Sequence, residues 1–185
     1  MIATVTLNPS LDEWMERSSL RVGALNRAVG SARYPGGKGI NVARVIHELG
    51  ERTVAFGLAG GEDGRMLRAL LNRLAIRHEF VTVRGNTRSN YKIRTTHPLA
   101  LTEINTAGPA VSAAVLRSIE RRLLAHQPRP CGVVLSGMAR RGSWPGIILD
   151  RSPNFSNFRS TGSIKTRLCL EIGRASCRER VYVLV

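Results

Sequence analysis

The sequence predicts an α/β fold, a parallel sheet flanked by helices, from three observations. Short runs rich in Val, Ile and Thr recur between residues 2 and 135, segments of helical apolar spacing separate them, and glycine or proline marks most of the joins. Such alternation implies right-handed crossovers and places a ligand site at the carboxyl ends of the strands.

Taken in order, Ile2 to Leu7 reads as a buried first strand that stops at Asn8-Pro9. Apolar side chains at Ile40, Val42, Ala43, Val45, Ile46 and Leu49, closed by Gly50, predict an amphipathic helix with a glycine C-cap. Thr53 to Leu58 reads as a second core strand, Asp63 to Leu74 as a helix and Glu79 to Val83 as a third strand. Tyr91 to Thr96 and Leu101 to Asn105 are expected to form a hairpin around His97-Pro98, outside the main sheet. Ser112 to Ala125 is again helical, and Gly132 to Leu135 is a strand running into Ser136-Gly137. After about Asp150 the rhythm ends: the segment mixes Ser, Asn and Arg, shows no helical stripe and finishes on a short β-prone run.

Composition narrows the function classes. The 185 residues suit one domain able to bury a core without cross-links. A hydrophobic fraction of 43% and a charged fraction of 22% are ordinary for a globular chain, so disorder is not indicated. Three cysteines without CxxC spacing argue against a disulfide framework and against a zinc site. No apolar run approaches a membrane span and the amino terminus lacks a secretory n-region, so a cytoplasmic chain without a membrane partner is expected. The net charge of +15 raises the question of nucleic acid. Residues 151–185 hold seven basic and two acidic residues, and the remaining excess is scattered among acids with no aromatic-interleaved basic motif, so no nucleic-acid partner is expected.

The strongest local signal is PGGKGINVA at residues 35–43. A glycine-rich turn opening a helix presents backbone N–H groups at the positive end of the helix dipole, and Lys38 adds a full charge. Phosphate or a phosphorylated sugar is the natural guest of such a site. The segment is neither a Walker A loop, which needs Gly-Lys-Ser or Gly-Lys-Thr, nor a GxGxxG fingerprint. The histidines at 47, 78, 97 and 126 share no spacing and are read as structural; Trp14 and Trp144 are read as packing residues.

Seven blocks carry a resemblance: TVTLNPSLD at 4–12, LNRA at 25–28, PGGKGINVARV at 35–45, GLAGGEDG at 57–64, TRSNYKI at 87–93, TEINTAGPAVS at 102–112 and VVLSG at 133–137. In order and spacing they resemble the successive motifs of the PfkB carbohydrate kinases, nearest the 1-phosphofructokinase and tagatose-6-phosphate kinase branch. The resemblance implies a ribokinase-like sheet with a small β lid, roughly residues 10–30 and 88–106. It implies transfer of the ATP γ-phosphoryl group, with Mg2+, to fructose 1-phosphate, tagatose 6-phosphate or a related ketohexose phosphate. A homodimer formed through the lid is the partner expected for the full-length parent.

The same resemblance assigns Asp12 to sugar hydroxyls, which is favoured over a turn-capping aspartate, although LNPSLD would suit the latter almost as well. It assigns Gly37, Lys38 and Asn41 to the phosphorylated sugar, and matches Arg88, with Asn90 beside it, to a segment whose arginine meets the substrate phosphate, for which a guanidinium fork is suited. Ser136 matches the first serine of an SGS segment, but Met138 stands where the second is expected. Arg27 and Glu103 are secondary candidates, and Glu103 would as readily pair within the lid.

No catalytic residue and no metal ligand is assigned. The family's GAGD-like motif, which supplies the anion hole and the base, has no counterpart here; Asp150 in IILDRSPN lacks the glycine setting. Residues 1–150 are therefore expected to be the N-terminal half of a PfkB kinase domain, inactive as a fragment, the alternative being a non-catalytic sugar-phosphate-binding module. Residues 151–185 are expected to be a non-family tail, artefactual or disordered, since EIGRASCRERV at 171–181 resembles a translated sequencing adaptor. With it, a main sheet that halts after the 132–135 strand is expected to present an uncovered edge.

Overall fold

The computed structural model describes residues 1–137 and 180–184. Its elements run β1 (Ile2–Thr6), β2 (Ser10–Arg17), β3 (Gly30–Gly36), α1 (Lys38–Glu48), β4 (Thr53–Ala59), α2 (Gly61–Arg73), β5 (Arg77–Thr82), β6 (Arg88–Thr96), β7 (Leu99–Asn105), α3 (Ala113–Ala125), β8 (Gly132–Gly137) and β9 (Arg180–Leu184).

Two sheets result. The main sheet has the order β5-β4-β1-β8-β9, parallel except for β9, which pairs antiparallel with β8 from Val133↔Leu184 to Gly137↔Arg180. Every residue of β4 is buried, as a parallel strand covered on both faces should be. Strand alternation divides its side chains between two cores. Val54, Phe56 and Leu58 join Ala3, Val5, Val133 and Leu135 against Ile119 and Leu123 of α3. Ala55 and Ala59 face the other way, against Ile40 and Ala43 of α1 and Leu67 and Leu71 of α2.

Local chemistry agrees with these boundaries. Gly50 ends α1 with φ of 82°, a left-handed conformation that suits glycine. The Ser112 hydroxyl accepts a hydrogen bond from the Val115 N–H at 3.3 Å and so caps α3.

The second sheet has the order β3-β2-β6-β7. β6 and β7 form the expected antiparallel hairpin, but it is not a free-standing ribbon: β2 pairs parallel with β6 and antiparallel with β3. Four strands support one another there, where a two-stranded ribbon alone would be marginal. β3, GSARYPG, gives no strand signal because it carries Gly and Pro. Its place at a sheet edge is where a strand proline is tolerated. The edge of β8 expected to be bare carries β9, which is the β-prone run at the end of the chain. Met138, Trp144, Asp150, Cys169, Cys177 and the tail from 151 to 179 lie outside the described residues.

Candidate functional site

Three structural features meet where the lid sheet joins the carboxyl end of β1. The first is the start of α1. Gly37 is its N-cap, with φ of 121°, a conformation open to glycine and strained for other residues. Lys38 opens the helix with an exposed side chain, and Asn41, also exposed, lies one turn on, its backbone N–H donating to the Gly37 carbonyl at 2.8 Å. The first turn of α1 contains no acidic residue, so its dipole and Lys38 act in the same sense.

The second feature is one face of β2 and β6. Their register pairs Ser10 with Arg88, Asp12 with Asn90 and Trp14 with Lys92, so these six side chains share a face. Asp12 lies within β2, not in a turn, and is the hub. Its Oδ1 accepts from the Ser10 hydroxyl at 2.8 Å and from Asn90 Nδ2 at 3.1 Å, and its Oδ2 lies 2.9 Å from Lys92 Nζ. The Lys92 ammonium also stands 5.1 Å from the centre of the Trp14 ring and 3.9 Å from Glu103. Glu103 thus pairs within the lid, and Trp14 packs there. Gly36 touches this cluster: a Cβ at that position would collide with the Asp12 carboxylate and the Ser10 hydroxyl. The glycine loop before α1 is therefore in contact with the aspartate of the lid.

The third feature is a pair of buried polar atoms on β6. Arg88 Nε, a donor, and Asn90 Oδ1, an acceptor, are both buried and both lack a hydrogen-bond partner among the described residues. A buried polar atom left unpaired costs about 1 to 3 kcal/mol, more for a charged group, and a ligand carrying an acceptor and a donor would satisfy these two atoms of opposite polarity, which stand two residues apart on one strand face. Arg88 lies beside Gly108, where a Cβ would come 3.6 Å from Arg88 Cδ and would also collide with Asn8 Oδ1.

Not all of the candidates come together. Ser136 is fully buried next to Thr6 in the main sheet, and both hydroxyls lack partners among the described residues. Arg27 is exposed in the loop between β2 and β3. A cavity of about 560 Å³, lined by Glu13, Met15, Arg33, Met66, Leu70 and Arg73 among others, lies between the opposite face of the lid and α2, and none of the candidate residues lines it. Sequence reading missed Ser10, Asn8 and Lys92. For Lys92 a signal existed, its position two residues beyond Asn90 on a strand face already carrying Arg88.

Comparison with known proteins gives a consistent result. Residues 5–127 match the pattern of the pfkB family of carbohydrate kinases. A 1-phosphofructokinase of Bacillus subtilis is 41% identical over 112 residues, which is 60% of this chain and 36% of that protein. The structure of a possible 1-phosphofructokinase from Thermotoga maritima superposes with a TM-score of 0.70 and 35% identity, covering 79% of this chain and 47% of the other. Phosphofructokinase-2 from Escherichia coli, solved with fructose-6-phosphate, gives a TM-score of 0.64 at 30% identity, covering 68% and 41%. The chain thus spans less than half the length of these relatives.

Proposed function

Because the chain belongs to the pfkB family of carbohydrate kinases, we propose that it is the sugar-phosphate-binding part of a kinase that phosphorylates fructose 1-phosphate, tagatose 6-phosphate or a related ketohexose phosphate. The observation that carries the reading is the pairing of unpartnered Arg88 Nε and Asn90 Oδ1 on the face that also holds Asp12, next to the positive end of α1. Arg88 and the Gly37-Lys38 turn take the substrate phosphate; Asp12 and Asn90 take its hydroxyls, which can donate to Asn90 Oδ1. Asn41 is proposed at the same phosphorylated sugar, Ser136 as its supporting contact from the main sheet, and Arg27 and Glu103 as residues of the lid rim.

ATP and Mg2+ are proposed as the cofactors of the complete protein, in keeping with the family, and no part of their site is assigned to the described residues. Phosphoryl transfer needs positioned charge and a group that accepts the hydroxyl proton. What these residues contribute is positioning: they fix the phosphate end of the acceptor and orient its hydroxyls. The test is ADP release by the complete gene product with fructose 1-phosphate and tagatose 6-phosphate. Turnover of either supports the kinase; binding without turnover of any ketohexose phosphate favours a non-catalytic sugar-phosphate-binding module.

The proposal includes a homodimer through the lid. Leu99, Leu101 and Ile104 of β7 are exposed, and β3 and β7 leave open strand edges. A further E. coli phosphofructokinase-2 structure is described as a tetrameric form, so self-association occurs in a relative. Sedimentation velocity of the complete protein is expected to show a dimer that Leu101→Glu dissociates. A monomer unchanged across concentration would contradict this. Among the described residues no helix is long and apolar enough to cross a membrane.

A further inference from the structure

The GGEDG segment at 60–64 has no role in the site as described, yet the structure joins it to the segment that carries Arg88. Gly60 N–H donates to Thr87 Oγ1 at 3.1 Å, and Thr87 N–H donates to the Gly60 carbonyl at 2.9 Å. At the third residue of α2, Asp63 and Asn86 are tied twice: Asp63 N–H donates to Asn86 Oδ1 at 3.1 Å, and Asn86 Nδ2 donates to Asp63 Oδ2 at 2.7 Å. The same Asp63 Oδ2 accepts from the Ser89 hydroxyl at 3.0 Å. The glycines make the approach possible. A Cβ at Gly61 would collide with the Asn86 amide, one at Gly60 with the Gly85 carbonyl, and one at Gly64 would stand 3.0 Å from Thr87 Oγ1.

Strand geometry gives these bonds their consequence. Successive side chains of β6 point to opposite faces, so Arg88 and Asn90 point to the candidate site while Ser89, between them, points back toward α2. On the far side the Ser89 backbone is held again: its N–H donates to Thr106 Oγ1 at 3.0 Å, and its carbonyl accepts from the Thr106 hydroxyl at 2.7 Å. The start of β6 is thus clamped between the amino end of α2 and the end of β7.

We propose that Asp63 is a positioning residue for sugar-phosphate binding, holding Asn86 and Ser89 so that Arg88 and Asn90 are presented in fixed geometry. The inference rests on the assignment of Arg88 to the substrate phosphate. Binding sites gain affinity when the contacting groups are locked beforehand by hydrogen bonds behind them. Asp63 acts through its two partners, Asn86 and Ser89, and not by touching the proposed ligand.

The test is isothermal titration of the complete gene product with fructose 1-phosphate, using Asp63→Ala, Asp63→Asn, Arg88→Ala and the Asp63→Ala/Arg88→Ala pair. Asp63→Ala is expected to weaken binding about tenfold, the equivalent of one charge-assisted hydrogen bond. Asp63→Asn keeps an oxygen that can accept from both Asn86 and Ser89, and is expected to restore most of the affinity. In the Arg88→Ala background, Asp63→Ala is expected to add little, since residues acting through one contact are not additive. Hydrogen exchange at residues 86–89 is expected to quicken in Asp63→Ala while exchange in β1 and β4 is unchanged. Affinity that responds to Arg88→Ala but not to Asp63→Ala, or losses that add in full, would overturn this inference alone. Affinity indifferent to Arg88→Ala would overturn the site assignment and this inference with it.

Discussion

Replacing Arg88 with alanine is expected to weaken fructose 1-phosphate binding by about ten- to a hundredfold, the equivalent of about 1.5 to 3 kcal/mol for a lost charge-assisted contact. The reason is the state of the side chain before any ligand arrives: its Nε is buried and has no hydrogen-bond partner among the described residues. A phosphate oxygen would satisfy that donor, and the rest of the fork would meet a second oxygen. Arg88→Lys is expected to fall between wild type and alanine, because an ammonium supplies charge but not the planar pair of donors. Binding of unphosphorylated fructose should be weak in all three proteins and indifferent to the change. Isothermal titration reads these differences, and equal affinity of wild type and Arg88→Ala for the phosphorylated sugar would contradict the assignment.

Gly39→Ala is expected to lower stability by about 2 kcal/mol, although alanine is the better helix former. The added methyl would collide with the Thr6 hydroxyl and stand 2.8 Å from the Val5 carbonyl oxygen and 3.1 Å from its carbon. Those atoms are backbone of β1, which is held in register on both sides by β4 and β8 and cannot move aside. Overpacking at such a position costs about 3 kcal/mol, and the helix preference of alanine returns about 1. The expected result is a fall in melting temperature of about 4 to 8 °C. Gly50→Ala is the contrast: nothing lies within 4 Å of its Cβ position, and only its φ of 82° opposes the substitution. A thermal melt of Gly39→Ala at or above wild type would show that α1 does not pack on β1 as closely as described.

Much of this architecture was legible because its signals are local. The apolar runs at Ile2, Thr53 and Gly132 and the helical stripes after Gly39, Asp63 and Ser112 depend on neighbours in sequence, and those elements appear within a few residues of where they were expected. The lid was legible only in part. β2 reads SLDEWMER, in which charged residues interrupt any simple alternation, and its parallel pairing with β6 joins residues that no local pattern connects. The hydrogen bond from Asn90 to Asp12 spans 78 positions.

The candidate site shows the same division. Gly37 and Lys38 could be read as an anion site from chemistry alone, because a glycine turn at a helix start exposes N–H groups wherever it occurs. Asp12, Arg88 and Asn90 could be singled out only through family resemblance; a lone arginine in so arginine-rich a chain carries no signal of its own. The contribution of Asp63 could not be seen in advance, since it depends on a loop more than twenty residues away folding back over the start of α2. The deep burial of Ser136 likewise depends on tertiary packing, with β8 paired to β1 and α1 in contact with both strands, which the VVLSG block does not reveal.

The central claim is that a phosphorylated ketohexose binds where α1 begins, beside the start of β6 in the lid sheet. The most direct test is an amide chemical-shift titration of the isotopically labelled chain with fructose 1-phosphate and, separately, with fructose. Saturable shifts are expected at residues 36–41 and 88–92 with the phosphorylated sugar, and little change with fructose. Shifts confined to the cavity between α2 and the outer face of the lid, or the same shifts with both sugars, would contradict it.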